Sequence, residues 1–429
     1  VLHERGAHVE VCDNNPWCGI TAFVLTLTPA GQSLDRRCLS TEGAFCWWYG
    51  DVIDGEGNGV VVIGAFALPF LEHRGAPTTP SLRPSINVAL YERGICTFYA
   101  LQELSARDPG LARADEQDDA LQEACTWLPA DPDRGLGERY RFGKTTLGYD
   151  VVAGKGLFFA DIDIKTPVGH LRGRLDIAGP VRDPSGHSPH TLGTPPALPP
   201  GVSDGVVHDW SPQLGPSKAK ATLDADGRAV VIDGGGYHDR NGALVPMWEQ
   251  GIARWLWARA DVAVAGRVES RIVYALWPAP KEEGGGGDVC ALGVVTDDAG
   301  ATRTVDVVIS EDDVATTWLG MREVRAFSVT ERDGTPFFSG RVAHKVDDGP
   351  FYLRHTLKAG VDAAGDAVCG FVEVVDVEKI DRPWQRPFVR MRVSPPVDSG
   401  RPASLWHPLF AGSNTGRVAR QLRWLVGRR

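Results

Sequence analysis

The chain has no CxxC pair, no HExxH, no glycine-rich loop followed by Lys-Ser or Lys-Thr, and no Ser-His-Asp arrangement. These absences take zinc-ribbon, metalloprotease, P-loop and serine-hydrolase chemistry off the table, and neither a metal nor a cofactor is expected. Eight Cys, at positions 12, 18, 38, 46, 96, 125, 290 and 369, are too few and too irregular for a disulfide scaffold. They read as reduced, mostly buried thiols of a cytoplasmic protein. No run approaches the roughly 20 apolar residues of a membrane span, and the first residues lack a signal-peptide pattern. Basic surplus is also missing: the net charge is −10, which argues against nucleic acid as a partner. Helical periodicity is scarce, the clearest candidate being the acidic stretch 115–126. No internal repeat is visible.

What is present is β-structure and tryptophan. With 429 residues, 43% of them apolar and 23% charged, the chain is long enough for two sizeable cores. Short β-branched runs at 59–64, 86–91, 229–232, 303–309 and 370–377 read as strands. Asp-Gly or Asn-Gly pairs at 54–55, 226–227, 241–242 and 333–334 supply hairpin turns between such runs. The expected class is all-β. The Pro/Gly/Ser/His-rich stretch 180–203 reads as a long loop or linker, with His187 and His190 as loop histidines, and 284–287 is a run of four glycines. Thirteen Trp is a high count, and Trp lines pockets for large apolar ligands as well as cores.

Chemistry concentrates in Gly235-Gly-Tyr-His-Asp-Arg-Asn-Gly242, followed by Arg254-Trp-Leu-Trp-Ala-Arg259. A carboxyl group among Tyr and Trp faces is desolvated, which raises its pKa and keeps it protonated as a general acid. The ring faces stabilise a carbocation without acting as nucleophiles. Asp239 is therefore the candidate acid, with Tyr237 and His238 beside it; His238 either relays its proton or points to the other side of the strand. In Phe45-Cys-Trp-Trp-Tyr-Gly-Asp51, alternation puts Trp47, Tyr49 and Asp51 on one face and Trp48 on the other. His208-Asp-Trp-Ser-Pro212 adds Trp210 and a second acid. Asp161 and Asp163, two apart on a strand, read as an exposed face.

Taken in order, these motifs resemble the carotenoid 1,2-hydratases, also called hydroxyneurosporene synthases. Gly43-Ala-Phe-Cys-Trp-Trp-Tyr-Gly-Asp51, Ile63-Gly-Ala-Phe66 and Asn87-Val-Ala-Leu-Tyr91 come first. Leu171-Arg-Gly173, Trp210, Gly236-Tyr-His-Asp-Arg-Asn241, Trp255-Leu-Trp-Ala-Arg259, Gly349-Pro-Phe-Tyr-Leu-Arg354 and Arg386-Pro-Phe-Val-Arg-Met-Arg392 follow. The resemblance implies two lipocalin-like antiparallel β-barrels, at 41–225 and 226–415. It implies addition of water to the terminal C1–C2 double bond of an acyclic carotenoid or related isoprenoid, without a cofactor. The family's acid falls on Asp239, with Trp47, Trp48, Tyr49, Asn87, Trp210, Asn241, Trp255 and Trp257 as the substrate-binding set. The same superfamily contains Diels–Alderases, so a polyene cyclase is the alternative activity, and a non-catalytic carrier of an apolar ligand is the third.

The two ends read differently from the body. Residues 1–40 resemble an incomplete FAD-binding fragment, with Val1-Leu-His-Glu-Arg-Gly-Ala-His-Val-Glu-Val-Cys-Asp-Asn-Asn-Pro-Trp-Cys-Gly19 lacking the glycine fingerprint a flavin site needs. The tail 416–429 is basic. On a helix it would carry Val418, Leu422, Leu425 and Val426 on one face, either as a foot on the inner membrane surface or docked on the body.

Overall fold

In the computed structural model, residues 25–28, 30, 35–71, 78–104, 125–128, 137–167, 169–182, 190–192, 208–279, 289–317, 319–380, 382–395 and 407 are described. The fold is all-β. Eight antiparallel strands, from Ile252–Val264 to Val368–Asp376, close into a barrel. The remaining strands form one long sheet whose main path runs 393–394, 95–103, 84–92, 59–66, 45–53, 228–243, 217–225, 169–180, 155–166, 145–152, 138–142 and 125–128, with 25–27, 190–192 and 208–212 joined beside it through the pairing of 208–212 with 228–243. That sheet curls around its own core, where Trp48, Val62, Val88, Phe142 and Phe158 meet. Of the two expected barrels, the second is closed and the first is a strongly curled sheet.

The strand runs read from the sequence lie within strands of the structure, except that Val377, the last residue of the 370–377 run, opens the short helix Val377–Ile380. Two readings are corrected. Asn241-Gly242 is not a turn: it continues the 16-residue strand Arg228–Ala243, where Gly242 pairs with Cys46 on one side and Asp209 on the other. Pairing on both sides consumes the backbone groups that a hairpin would have turned inward. That strand also belongs to the first sheet, through the 45–53 and 217–225 strands, rather than opening the second barrel at 226. Of the acidic helical candidate 115–126, Cys125 and Thr126 begin the strand Cys125–Leu128, and 115–124 lie outside the described residues. So do 1–24, His187, the four glycines and 416–429. His190 sits in a short strand paired with Leu25–Leu27.

The halves pack face to face. A single apolar cluster runs from Tyr49, Tyr91 and Trp210 of the sheet to Trp255, Leu353 and Val374 of the barrel. At Gly235 an added Cβ would lie 2.9 Å from the Asp261 carboxylate of the barrel, so the missing side chain permits this approach. Gly50 does the same on the opposite face, where a Cβ would strike the Phe158 ring at 2.3 Å.

Candidate active site

Two rows of side chains face one another across this interface. On the sheet, antiparallel register sets Tyr237 opposite Asp51, Asp239 opposite Tyr49, and Asn241 opposite Trp47. Because alternate residues share a face, all six project together. The row continues from Asp239 and Tyr49 to Ile63, Asn87 and Leu101 on successive strands. On the barrel a matching row runs Tyr274, Trp257, Glu373, Arg354, Asp347.

Between the rows lie two cavities in succession. The first is lined by Trp47, Tyr49, Asp239, Asn241, Trp255, Trp257, Tyr274 and Glu373. The second is bounded by Ile63, Phe70, Leu101, Tyr352, Arg354 and Val389 among others. Phe70, in the second, lies 6.4 Å from the Trp255 ring of the first, and Arg354 of the second bonds Glu373 of the first at 2.8 Å.

Asp239 is buried and receives three hydrogen bonds. Trp210 Nε1 and Tyr237 Oη donate to Oδ2 at 2.9 and 2.8 Å, and Asn241 Nδ2 donates to Oδ1 at 3.1 Å. Such bonds favour the carboxylate, but burial opposes them and prevails, lifting the pKa to about 7. Both acceptor directions of Oδ2 are occupied, so the proton belongs on Oδ1. His208 completes the support. Its ring nitrogens reach Asn241 Oδ1 at 3.3 Å and Gln250 Oε1 at 3.2 Å, and burial lowers its pKa and keeps it neutral. Trp47, Trp255 and Tyr274 meet the His208 ring edge-on.

Beside this cluster Asp51 pairs with Arg259 of the barrel, both fully buried. Burial works against the Arg259 charge, yet the Asp51 and Asp261 carboxylates outweigh it and raise its pKa.

Of the residues picked from the sequence, Asp239, Tyr237, Trp47, Tyr49, Trp210, Asn241, Trp255 and Trp257 come together here. Asn87 lines the second cavity and is tied to the Ala100 carbonyl at 2.8 Å. Two picks are corrected. His238 and Trp48 occupy the alternate face and point into the curled sheet. His238 stacks on Phe158 with ring centroids 4.2 Å apart and uses Nδ1 on the Tyr49 carbonyl, and burial pushes its pKa down to about 3. Trp48 lies against Tyr140, centroids 4.0 Å apart. Asp161 forms a half-exposed ion pair with Arg174 and Asp163 a hydrogen bond with the His170 ring, as expected of a solvated face.

Glu373, Tyr274 and the supporting part of His208 were missed. Glu373 is one of two acids, with Asp376, in a valine-rich run, Gly370-Phe-Val-Glu-Val-Val-Asp-Val377. Only its pairing opposite Trp257 shows that it faces the cavity.

Comparison with known proteins bears on this arrangement. Residues 199–400 match the family model "Carotenoid hydratase CrtC". The matched segment contains Trp210, Asp239, Asn241, Trp257 and Glu373, and the match supports a hydratase-type activity. Comparison with curated proteins finds no match. Among solved structures, an AttH-type protein of Nitrosomonas europaea is 12% identical, with a TM-score of 0.47, over 82% of this chain and 100% of its own. Kievitone hydratase from Nectria haematococca is 9% identical, with a TM-score of 0.37, over 85% of this chain and 100% of its own.

Proposed function

We propose that this protein adds water to the terminal C1–C2 double bond of an acyclic carotenoid or a related isoprenoid, with Asp239 as the acid. The observation that carries this reading is a carboxyl group with a pKa near 7, held only by neutral donors, in a chamber of aromatic rings. Protonation of an unactivated alkene needs a donor that is still loaded at neutral pH. The proton on Oδ1 passes to C2, the less substituted carbon, and leaves a tertiary cation at C1. The faces of Trp47, Tyr49, Trp255, Trp257 and Tyr274 stabilise that cation by their quadrupoles. Water then captures it.

The shape of the interface supports this substrate class. The two cavities lie one after the other along the facing rows, so the acid chamber takes one end of a long thin molecule and the second takes its hydrocarbon chain. A substrate of this kind dissolves in membranes, so peripheral contact with a membrane surface belongs to the proposal. No described helix is long and apolar enough to cross a membrane.

The test is incubation of the purified protein with lycopene in ¹⁸O-labelled water, followed by mass spectrometry. Incorporation of one labelled oxygen is expected. An isomer of unchanged mass would overturn hydration and favour a polyene cyclase; recovery of unaltered lycopene bound to the protein would favour a carrier.

A further inference from the structure

Hydration needs a second proton transfer, because the water that captures the cation must lose one of its protons. The acid chamber contains a group suited to receive it. Glu373 comes from the barrel, whereas Asp239 comes from the sheet, and both line the same cavity. Arg354 Nε holds Glu373 Oε1 at 2.8 Å, and Arg354 is itself fixed by Nη1 on the Tyr91 hydroxyl at 3.0 Å. Oε2 takes no hydrogen bond within the described residues. The position of the carboxylate is thus set by one oxygen and its other oxygen is left for a ligand. The other polar side chains lining the chamber are Asn241, the phenols Tyr49 and Tyr274, and the indoles of Trp47, Trp255 and Trp257. Burial lifts Tyr49 and Tyr274 well above the usual phenol range, so they remain donors. Asn241 is committed to Asp239 and His208. Trp257 Nε1 has no hydrogen-bond partner among the described residues.

We propose that Glu373 is the catalytic base that binds the attacking water and takes its proton, an assignment that rests on the hydratase reading above. In the first step the Asp239 Oδ1–H bond breaks and a C2–H bond forms. In the second the water oxygen bonds to C1 while its O–H bond breaks and the proton passes to Glu373 Oε2. The cycle ends with Asp239 ionised and Glu373 protonated, and solvent water carries the proton back. Two carboxyl groups on opposite walls with room for a water between them is the division of labour used by inverting glycosidases.

The test uses lycopene with the wild type, Glu373→Gln, Glu373→Ala and Asp239→Asn, with and without sodium azide or sodium formate. Glu373→Gln is expected to lower hydration roughly 10²–10⁴-fold, the usual worth of a general base. Azide needs no deprotonation, so Glu373→Gln with azide should yield the product of adding hydrazoic acid across C1–C2. Asp239→Asn should yield neither product. Formate should restore part of the hydration to Glu373→Ala by supplying a carboxylate beside Arg354. Thermal melting of each variant separates lost chemistry from lost folding. Hydration by Glu373→Gln within tenfold of the wild type overturns the assignment. So does a folded Glu373→Gln that neither hydrates nor forms the azide, since that variant has lost the cation and not the base. If wild-type protein leaves lycopene unhydrated, the hydratase reading itself fails and the base role falls with it.

Discussion

Asp51 and Asp239 lie on neighbouring strands of one sheet, project from the same face, and are both buried against the barrel. Asp51 meets a guanidinium: Arg259 donates to both of its oxygens. Burial pushes the Asp51 pKa up against the pull of that cation. Asp239 meets an indole, a phenol and an amide, all neutral, and the Glu373 carboxylate pushes in the same direction as burial. One aspartate has become an ion-pair anchor between the two halves of the protein, and the other a store for a proton. Residue type and depth of burial are shared, so the difference lies in the charge of the partner.

The largest effect that would sharpen this contrast is expected from Asp239→Asn. The amide keeps the shape and cannot supply the proton, so hydration of lycopene should fall roughly 10²–10⁴-fold. Stability should move the other way. A carboxyl with a folded pKa of about 7 against an ordinary 3.8 costs the folded state stability as pH rises from about 4 through 7. Urea unfolding of the wild type should show that decline, and Asp239→Asn should flatten it. Wild-type activity should likewise fall as pH rises through about 7.

Asp51→Ala should do the reverse, with stability as its main readout. It leaves Arg259 buried without its partner, and denaturant unfolding should register a loss of about 3–5 kcal/mol. If Asp51→Ala proved as stable as the wild type, the anchor side of the comparison would break.

A smaller effect is expected from Trp210→Phe, which removes one donor from Asp239 Oδ2. The anionic form loses support, so the upper limb of the pH–rate profile should move to higher pH, with about 1 kcal/mol of stability lost. A shift to lower pH would contradict the proton-store reading. The smallest effect on turnover should come from His238→Phe. This ring faces Phe158 in the curled sheet, so activity per folded molecule should hold while the free energy of unfolding falls by about 1 kcal/mol for the lost bond to the Tyr49 carbonyl.

Much of this was legible beforehand. The β-branched runs announced their strands, and Asp239 stood out because a carboxyl beside glycines and aromatic rings is chemically unusual. Alternation alone placed Trp47, Tyr49 and Asp51 on one face and Trp48 on the other. His238 and Trp48 were misassigned because a strand has two sides, and nothing local marks which side meets another domain. Asn241-Gly242 misled in a related way: the dipeptide favours a turn, but two neighbouring strands claim its backbone. Glu373 gave no signal at all, since its partners Trp257 and Arg354 are 116 and 19 residues away in the chain.

By itself, then, the sequence determined the class of element and the set of side chains sharing each face, because strand geometry has a period of two residues and acts locally. Tertiary structure decided which faces meet. Register between distant strands aligned Asp239 with Tyr49 and Glu373 with Trp257, and packing of sheet on barrel removed the water. Desolvation is a property of that assembled interface, and it turns an ordinary turn-forming residue into an acid loaded at neutral pH.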